Sequence, residues 1–157
     1  NGISLVRKIM ETSPDILKET VDGKSFTDAV LTSHLAYYTS LKELFGNDGL
    51  VGLAHITGGG IEENLNRILP ENLDAKIDLS QIRVLPVFKT LKKFGSLEDR
   101  DMLRTFNMGV GIAAVVRPQF ADMVIAHMKK FDIDAYEIGV IIDGKKHVEF
   151  SGELQED

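Results

Sequence analysis

The segment from His55 to Gly60 holds the residues of this sequence best suited to bind a small molecule, because a histidine and a threonine precede three consecutive glycines. Apolar residues 50–54 predict a buried strand before it, and the apolar spacing of residues 61–68 predicts a short helix after it. Glycine allows positive φ and close approach of a ligand, and a helix N-terminus offers unpaired N–H groups. The segment could therefore form an anion-binding turn, most often one for phosphate.

A tight connection between strand and helix explains the same glycines without any ligand, and the residues alone leave both interpretations open. Glu62 and Glu63 follow in the first predicted helical turn, where their carboxylates could satisfy the positive end of the helix dipole. The glycine spacing also differs from G-x-G-x-x-G, so a dinucleotide-binding fold is not indicated.

A second glycine-rich stretch opens residues 107–116, which predict the best strand of the sequence. Side chains alternate along a strand, so Asn107, Gly109 and Gly111 would share one nearly bare face. Two glycines on one side indicate close approach by another group, either a packed helix, which the residues alone favour, or a ligand contacted by Asn107. His55 would end the strand of residues 50–54, and ligands gather at such C-terminal ends.

Size and composition exclude several classes of function. The 157 residues suit one domain, and a net charge of −6 without a basic run argues against a nucleic-acid partner. No apolar run approaches the roughly 20 residues needed to span a membrane, so no membrane partner is expected. The lack of cysteine excludes disulfides and thiolate chemistry and fits a cytoplasmic protein. No two histidines have metal-ligand spacing, so we expect no metal site made by this chain alone.

Helices and strands are interleaved along the chain, which predicts an α+β fold with helices covering a mixed, largely antiparallel sheet of about four to five strands. We expect one domain over residues 1–150 and a frayed acidic tail over residues 151–157. The sequence starts at Asn1 and not at methionine, so we expect a fragment, a processed chain or an excised domain.

Local signals predict where several elements begin and end. Ser4 is expected to cap a helix that ends near residue 11. Thr32 or Ser33 is expected to cap another that ends near residue 45, with Leu35, Tyr38, Leu41 and Phe45 facing inward. Pro86 and Pro118 are each expected to open a helix. The pair Asp143-Gly144 predicts a hairpin whose second strand, residues 146–150, returns as an edge strand.

Five motifs, in their order along the chain, resemble one family closely. They are Asn1-Gly2-x-Ser4-Leu5-Val6-Arg7, His55-Ile56-Thr57-Gly58-Gly59-Gly60, Asn64-x-x-Arg67-x-Leu69-Pro70, Arg104-Thr105-Phe106-Asn107-Met108-Gly109-x-Gly111 and Tyr136-x-Ile138-Gly139. The chain is similar, from residue 1 to about residue 142, to the C-terminal domain of aminoimidazole ribonucleotide synthetase, also called phosphoribosylformylglycinamidine cyclo-ligase. The second and fourth motifs together make the resemblance specific.

The resemblance implies an enzyme of purine biosynthesis with a three-layer α/β/α domain. Such an enzyme uses ATP and Mg²⁺ to close the imidazole ring of formylglycinamidine ribonucleotide, giving aminoimidazole ribonucleotide, ADP and phosphate. In this family an N-terminal domain, which this chain lacks, mainly binds ATP and the metal. The resemblance therefore implies that domain as a partner, a homodimer at full length, and no activity of this chain alone.

The resemblance also assigns roles to single residues. It favours the anion-binding interpretation of the segment formed by Thr57, Gly58, Gly59 and Gly60. It makes His55 the catalytic candidate, which would orient substrate or shuttle a proton without being the base. The residues that it implies line the same cleft are Asn107, Gly109, Gly111, Asn1, Ser4 and Arg7.

One stretch departs from the family pattern. Where the family usually has Pro-Thr-Arg and then Ile-Tyr-Val, this sequence has Ser33-His34-Leu35 and then Ala36-Tyr37-Tyr38. Losing the arginine removes a charge and a bidentate donor, so this chain could bind differently. Two alternatives stay open: another ATP-dependent enzyme of this architecture, such as a selenophosphate synthetase or thiamine-monophosphate kinase, and a non-catalytic module that binds a phosphate ligand.

Overall fold

The computed structural model describes residues 1–155 and shows helices interleaved with short strands. The α-helices are α1 (Ile3–Thr12), α2 (Phe26–Val30), α3 (Tyr38–Leu41), α4 (Gly60–Asn66), α5 (Pro86–Gly95), α6 (Asp99–Thr105) and α7 (Ala121–Lys129). The strands are β1 (Thr20–Val21), β2 (Lys24–Ser25), β3 (Leu50–His55), β4 (Leu73–Asp78), β5 (Ile112–Val116), β6 (Gly139–Asp143) and β7 (Val148–Ser151). Short 3-10 helices cover Pro14–Lys18, Leu79–Gln81 and Pro118–Phe120.

The strands of residues 1–155 are divided among three small sheets. One pairs β1 with β2, a second pairs β3 with β5, and the third has the order β6-β4-β7. The pairs β1–β2, β3–β5 and β4–β6 are antiparallel, and β4–β7 is parallel. The predicted mixed, largely antiparallel α+β class is confirmed, although the strands do not form one continuous sheet. The three-layer arrangement stays a prediction.

The predicted hairpin at Asp143-Gly144 is wrong, because β6 and β7 both pair with β4 and not with each other. The connection between them crosses the end of β4 and is held by Asp74. Its Oδ1 accepts hydrogen bonds of 2.7 Å from the backbone N–H of Lys145 and of 2.7 Å from that of His147. A carboxylate in β4 therefore replaces the tight turn that the sequence predicts.

Two groups of buried apolar side chains stabilise the fold. The larger lies among α1, α4, α5, α6 and the strands, and includes the completely buried Ile16, Phe26 and Met102. Burial of this kind is the main favourable contribution to folding. A smaller cluster joins Leu41 and Leu44 to Met128 of α7.

The predicted helix of residues 32–45 is wrong, because only α3 is helical in this region. The side chains of Leu35, Tyr38 and Phe45, which were expected to face inward, are 59%, 71% and 51% exposed. The region is fixed by a distant partner, since Nε2–H of His127 donates to the carbonyl oxygen of Ser40 at 2.7 Å. Helical spacing alone did not reveal that contact.

The ends of other helices agree with the local signals to different degrees. Pro86 is the first residue of α5, as predicted, and Pro118 opens a 3-10 turn that leads into α7. Ser4 does not cap α1, because that helix begins at Ile3 after Gly2, whose φ is 73°. The left-handed backbone of Gly2 sets the start of α1 without a side-chain cap.

The end of the described chain is packed and not frayed. Ser151 is the last residue of β7, and Leu154 is only 7% exposed within the larger core. The last two residues of the expected tail, 156 and 157, lie outside the described residues.

Candidate functional site

The predicted glycine-rich turn connects β3 to α4, and its shape depends on two glycines with positive φ. Gly59 has φ of 91° and Gly60 has φ of 63°. A Cβ at Gly60 would also overlap the carbonyl oxygen of Leu103 in α6. Glycine is therefore required at position 60 both for the backbone conformation and for the close contact between the turn and α6.

Two N–H groups of the turn bond to the chain itself. The N–H of Gly59 donates to the carbonyl oxygen of Arg104 at 3.1 Å, and the N–H of Gly60 donates to that of Thr57 at 3.0 Å. The prediction that these two groups face an anion is therefore not met in this structure. The exposed Gly58 differs, because its N–H has no hydrogen-bond acceptor within residues 1–155.

A carboxylate lies against the turn. A Cβ at Gly59 would overlap Oε2 of Glu63, and the same oxygen is 3.8 Å from Nη2 of Arg67. A negative charge at this place disfavours a phosphate directly over Gly59. The surface that stays open for a ligand is the side of Thr57 and Gly58.

A buried amide beneath the turn was missed as a functional candidate by the sequence reasoning. Asn64, which is 4% exposed, donates from Nδ2 to the carbonyl oxygens of Gly60, Gly58 and Thr57 at 2.8, 3.2 and 3.4 Å. Its Oδ1 accepts from Arg67 at 3.1 Å. The signal was present in the sequence as Asn64-x-x-Arg67, since residues three apart on a helix are neighbours.

His55 is exposed at the end of β3, opposite Ile112 of β5. Its ring lies edge-on to that of Tyr37, with ring centroids 6.2 Å apart. Tyr37 is half-buried, and this burial raises the pKa of its hydroxyl. The hydroxyl of Tyr37 also lies against Gly111, so His55, Tyr37 and Gly111 form one corner of the molecule.

Residues 107–111 form a turn, so the prediction that Asn107, Gly109 and Gly111 share a strand face is wrong. β5 begins only at Ile112, and Met108 and Gly109 have φ of 56° and 109°. Oδ1 of Asn107 accepts from the N–H of Gly109 at 3.0 Å, an arrangement that competes with strand pairing.

The structure brings some of the predicted cleft residues together and leaves others apart. The N–H of Ile56 donates to the carbonyl oxygen of Gly111 at 2.9 Å, which places Gly111 beside the glycine-rich turn. Gly109 packs against a different part of the chain, because a Cβ there would come within 3.0 Å of Leu85. The protein itself therefore supplies a close approach of the kind that this position indicated.

The N-terminal candidates also differ among themselves. A Cβ at Gly58 would be 3.5 Å from Oδ1 of Asn1, so Asn1 borders the open side of the turn. Ser4 and Arg7 are exposed in α1, and within residues 1–155 neither makes a hydrogen bond or ion pair to the turn. Asn1, His55, Thr57 and Gly58 are therefore the candidates that share one accessible surface, which we call the loop face.

Two surface pockets are lined by residues other than those of the loop face. One of about 390 Å³ lies between α4 and β7 and is lined by Glu62, Glu63, Asn66, Arg67, His147 and Val148. The other, of about 650 Å³, lies between α5 and the segment of Leu154 and Gln155. Neither includes a residue that the sequence predicts for the site.

Residues 1–155 contain neither a candidate metal site nor a candidate membrane-spanning helix. No three His, Asp or Glu side chains in this range are placed to hold a metal ion together. None of the described helices is both long enough and apolar enough to cross a membrane.

Comparison with known proteins identifies the family. The family model described as "AIR synthase related protein, C-terminal domain" matches residues 1–151. The chain belongs to this family. The family resemblance inferred from the five motifs is thus confirmed.

Curated relatives of this AIR synthase related domain carry consistent names. A chloroplastic phosphoribosylformylglycinamidine cyclo-ligase of Arabidopsis thaliana is 37% identical over 147 residues, covering 92% of the chain and 38% of the relative. The cyclo-ligase of Paraburkholderia xenovorans is 40% identical over 141 residues, covering 90% of the chain and 40% of the relative. A bifunctional purine biosynthetic protein of Dictyostelium discoideum is 37% identical over 150 residues, covering 92% of the chain and 18% of the relative.

The chain thus spans about two fifths or less of the length of these relatives. The match covers almost all of the domain, while most of each relative's length lies outside it.

Proposed function

We propose that this domain forms the substrate side of a phosphoribosylformylglycinamidine cyclo-ligase, which closes the imidazole ring of formylglycinamidine ribonucleotide at the expense of ATP. The observation that carries this proposal is the match to cyclo-ligases at 37–40% identity over at least 90% of the chain. Selenophosphate synthetases and thiamine-monophosphate kinases become less favoured, because the relatives compared above are named for purine biosynthesis.

The proposed chemistry is phosphorylation of the formyl oxygen by ATP, followed by attack of the amidine nitrogen on the activated carbon and release of phosphate. Such reactions depend on positioning and on stabilisation of developing charge. On the loop face, the N–H of Gly58 is an available donor and the side chain of Asn1 is beside it. His55 orients substrate or shuttles a proton, because its ring is exposed beside the turn.

Within residues 1–155, no three His, Asp or Glu side chains are grouped so that they could hold Mg²⁺ without further ligands. Mg²⁺ prefers oxygen ligands from carboxylates together with substrate phosphates. We propose that Mg²⁺ and most contacts to ATP belong to an N-terminal domain, as the family resemblance implies.

Neither of the two pockets described above includes a residue of the loop face, and the chain spans about two fifths or less of the length of its relatives; both observations agree with a site that is completed by another domain. The N-terminal domain is the proposed partner, and the chain alone is expected to be inactive. Homodimerisation of the complete protein and a cytoplasmic location remain predictions.

The test is reconstitution with the N-terminal part of a cyclo-ligase, for which the Paraburkholderia xenovorans relative is suitable. Formation of ADP and of aminoimidazole ribonucleotide would be measured with each part alone and with both together. Activity only in the mixture supports the proposal. Binding of formylglycinamidine ribonucleotide to the chain without turnover in any mixture would instead favour the non-catalytic binding module.

A further inference from the structure

The orientation of the Asn64 side-chain amide is fixed by its neighbours. Three carbonyl oxygens, which can only accept, surround Nδ2, and the guanidinium of Arg67, which can only donate, lies 3.1 Å from Oδ1. If the nitrogen and the oxygen were exchanged, Oδ1 would face the three carbonyl oxygens and Nδ2 would face the guanidinium of Arg67. Neither side could then form a hydrogen bond. The amide therefore has one chemically possible orientation.

The bonds of Asn64 hold the turn from its inner side. The Nδ2 bond to Gly60 is the shortest, at 2.8 Å, while Gly58 and Thr57 are 3.2 and 3.4 Å away and share the remaining donor capacity. Without the Asn64 amide, the carbonyl oxygen of Gly58 would lose its hydrogen-bond donor, which is costly. Asn64 thus fixes the path of residues 57–60 together with the backbone bonds of Gly59 and Gly60.

The same amide sets the direction of the Thr57 hydroxyl. Oγ1 of Thr57 lies 3.3 Å from Oδ1 of Asn64, and because Oδ1 carries no hydrogen, the hydroxyl proton points toward it. The lone pairs of the hydroxyl oxygen then point away from Asn64, toward the loop face. Thr57 is arranged to accept a hydrogen bond from a ligand and not to donate one to phosphate.

Arg67 acts on this arrangement from the surface. Its side chain is 64% exposed, it donates to Oδ1 of Asn64, and it lies 3.8 Å from the carboxylate of Glu63. A charged donor at Oδ1 makes that hydrogen bond stronger than a neutral one. Arg67 thereby holds the Asn64 amide in the orientation that the turn requires.

We propose that Asn64, held by Arg67, is a positioning residue that fixes the turn of residues 57–60 and directs the Thr57 hydroxyl to accept from an N–H or O–H group of the substrate. The part concerning the substrate rests on the proposed function. The ligand class is a donor-bearing group, such as a ribose hydroxyl or an amidine, in place of the phosphate predicted from the glycines.

The first test uses the chain itself and is independent of catalysis. Hydrogen exchange of the Gly59 and Gly60 N–H groups would be measured by NMR in Asn64→Asp, which keeps an acceptor for Arg67 but loses the donor to the carbonyls, and in Arg67→Met. Asn66→Ala is the matched control, because Asn66 is in the same helix and donates to the carbonyl oxygen of Lys146, outside the turn.

Both variants are expected to increase exchange at the turn by about tenfold, the scale of one lost hydrogen bond, and the control to leave it unchanged. If Asn64→Asp does not fold, Arg67→Met decides the result, because its side chain is largely exposed. Exchange equal to that of the control in Arg67→Met would overturn the proposal.

The second test separates positioning from stability in the reconstituted protein. Arg67→Met is expected to raise the KM for formylglycinamidine ribonucleotide while the KM for ATP stays unchanged. A purely structural role would lower the amount of folded protein and leave both KM values unchanged, which would overturn the positioning role. If the unaltered chain shows no activity on reconstitution, the proposed function fails, and the exchange measurement still decides whether Asn64 fixes the turn.

Discussion

The hydroxyl group of Tyr37 lies directly against the Cα of Gly111, in the space that a Cβ at position 111 would occupy. Tyr37 comes from the irregular segment before α3, and Gly111 precedes β5, so the contact joins two parts of the chain that are distant in sequence. Because the Tyr37 ring also lies edge-on to His55, this contact fixes one side of the loop face.

Gly111→Ala is expected to displace Tyr37 and to lower the free energy of unfolding by about 1–3 kcal/mol, as overpacking does. Urea denaturation would measure the change. Gly58→Ala is the control, because position 58 also lacks a positive φ but would place its Cβ at an ordinary distance of 3.5 Å from Asn1. Equal effects of the two changes would contradict the role of the Tyr37 contact.

Gly60→Ala is expected to destabilise the domain more than Gly46→Ala. Both glycines have positive φ, which costs an alanine about 1–2 kcal/mol, but a Cβ at Gly46 meets no atom within 4 Å, whereas one at Gly60 overlaps the backbone of Leu103. The difference between the two melting temperatures therefore measures the contact between the turn and α6. A smaller loss in Gly60→Ala would show that this contact is not important.

The carboxylate of Asp74 is expected to make the stability of the domain depend on acid pH. Hydrogen bonds from the backbone N–H of His147 and of Lys145 lower its pKa, so it binds fewer protons in the folded state than in the unfolded state. Its stabilising contribution is therefore complete above the unfolded pKa of about 3.9 and is lost as the pH falls through the lower folded pKa.

Urea denaturation between pH 2.5 and pH 6 would test this expectation, with Asp74→Asn as the variant. We expect the loss of stability at low pH to be smaller in Asp74→Asn than in the unaltered chain. An identical pH dependence of the two proteins would show that Asp74 does not contribute to it.

Leu154→Ala is expected to lower the free energy of unfolding by about 2–5 kcal/mol, the range for a large-to-small change in a core. The side chain of Leu154 is 7% exposed, whereas that of Leu31 is 74% exposed, so Leu31→Ala serves as the control. Thermal unfolding of both variants would measure the difference. A loss at position 154 no larger than at position 31 would mean that the chain end contributes little.

The sequence predicted the elements whose signals are local. Pro86 at the start of α5 and Gly59 before α4 act through their own backbone dihedrals, so this effect does not depend on distant residues. The α+β class and the glycine-rich turn followed from such signals, and the motifs identified the family.

The remaining features depend on partners far away in the sequence. The crossing of residues 144–147 over β4 depends on Asp74, and α3 is short in a region where Ser40 bonds to His127. The inner side of the turn depends on a buried asparagine that donates to three carbonyl oxygens, a geometry that helical spacing does not specify. Tertiary contacts override local propensity in such places.

The position of β4 between β6 and β7 has a consequence for synthesis of the protein on the ribosome. β4 is complete at Asp78, but its two neighbours are translated only as residues 139–143 and 148–151. While residues 79–138 are being translated, both edges of β4 lack their final partner strands. Unpaired strand edges can pair with other chains. A ribosome that stops before residue 148 would release a nascent polypeptide with one such edge permanently open, a natural substrate for chaperones.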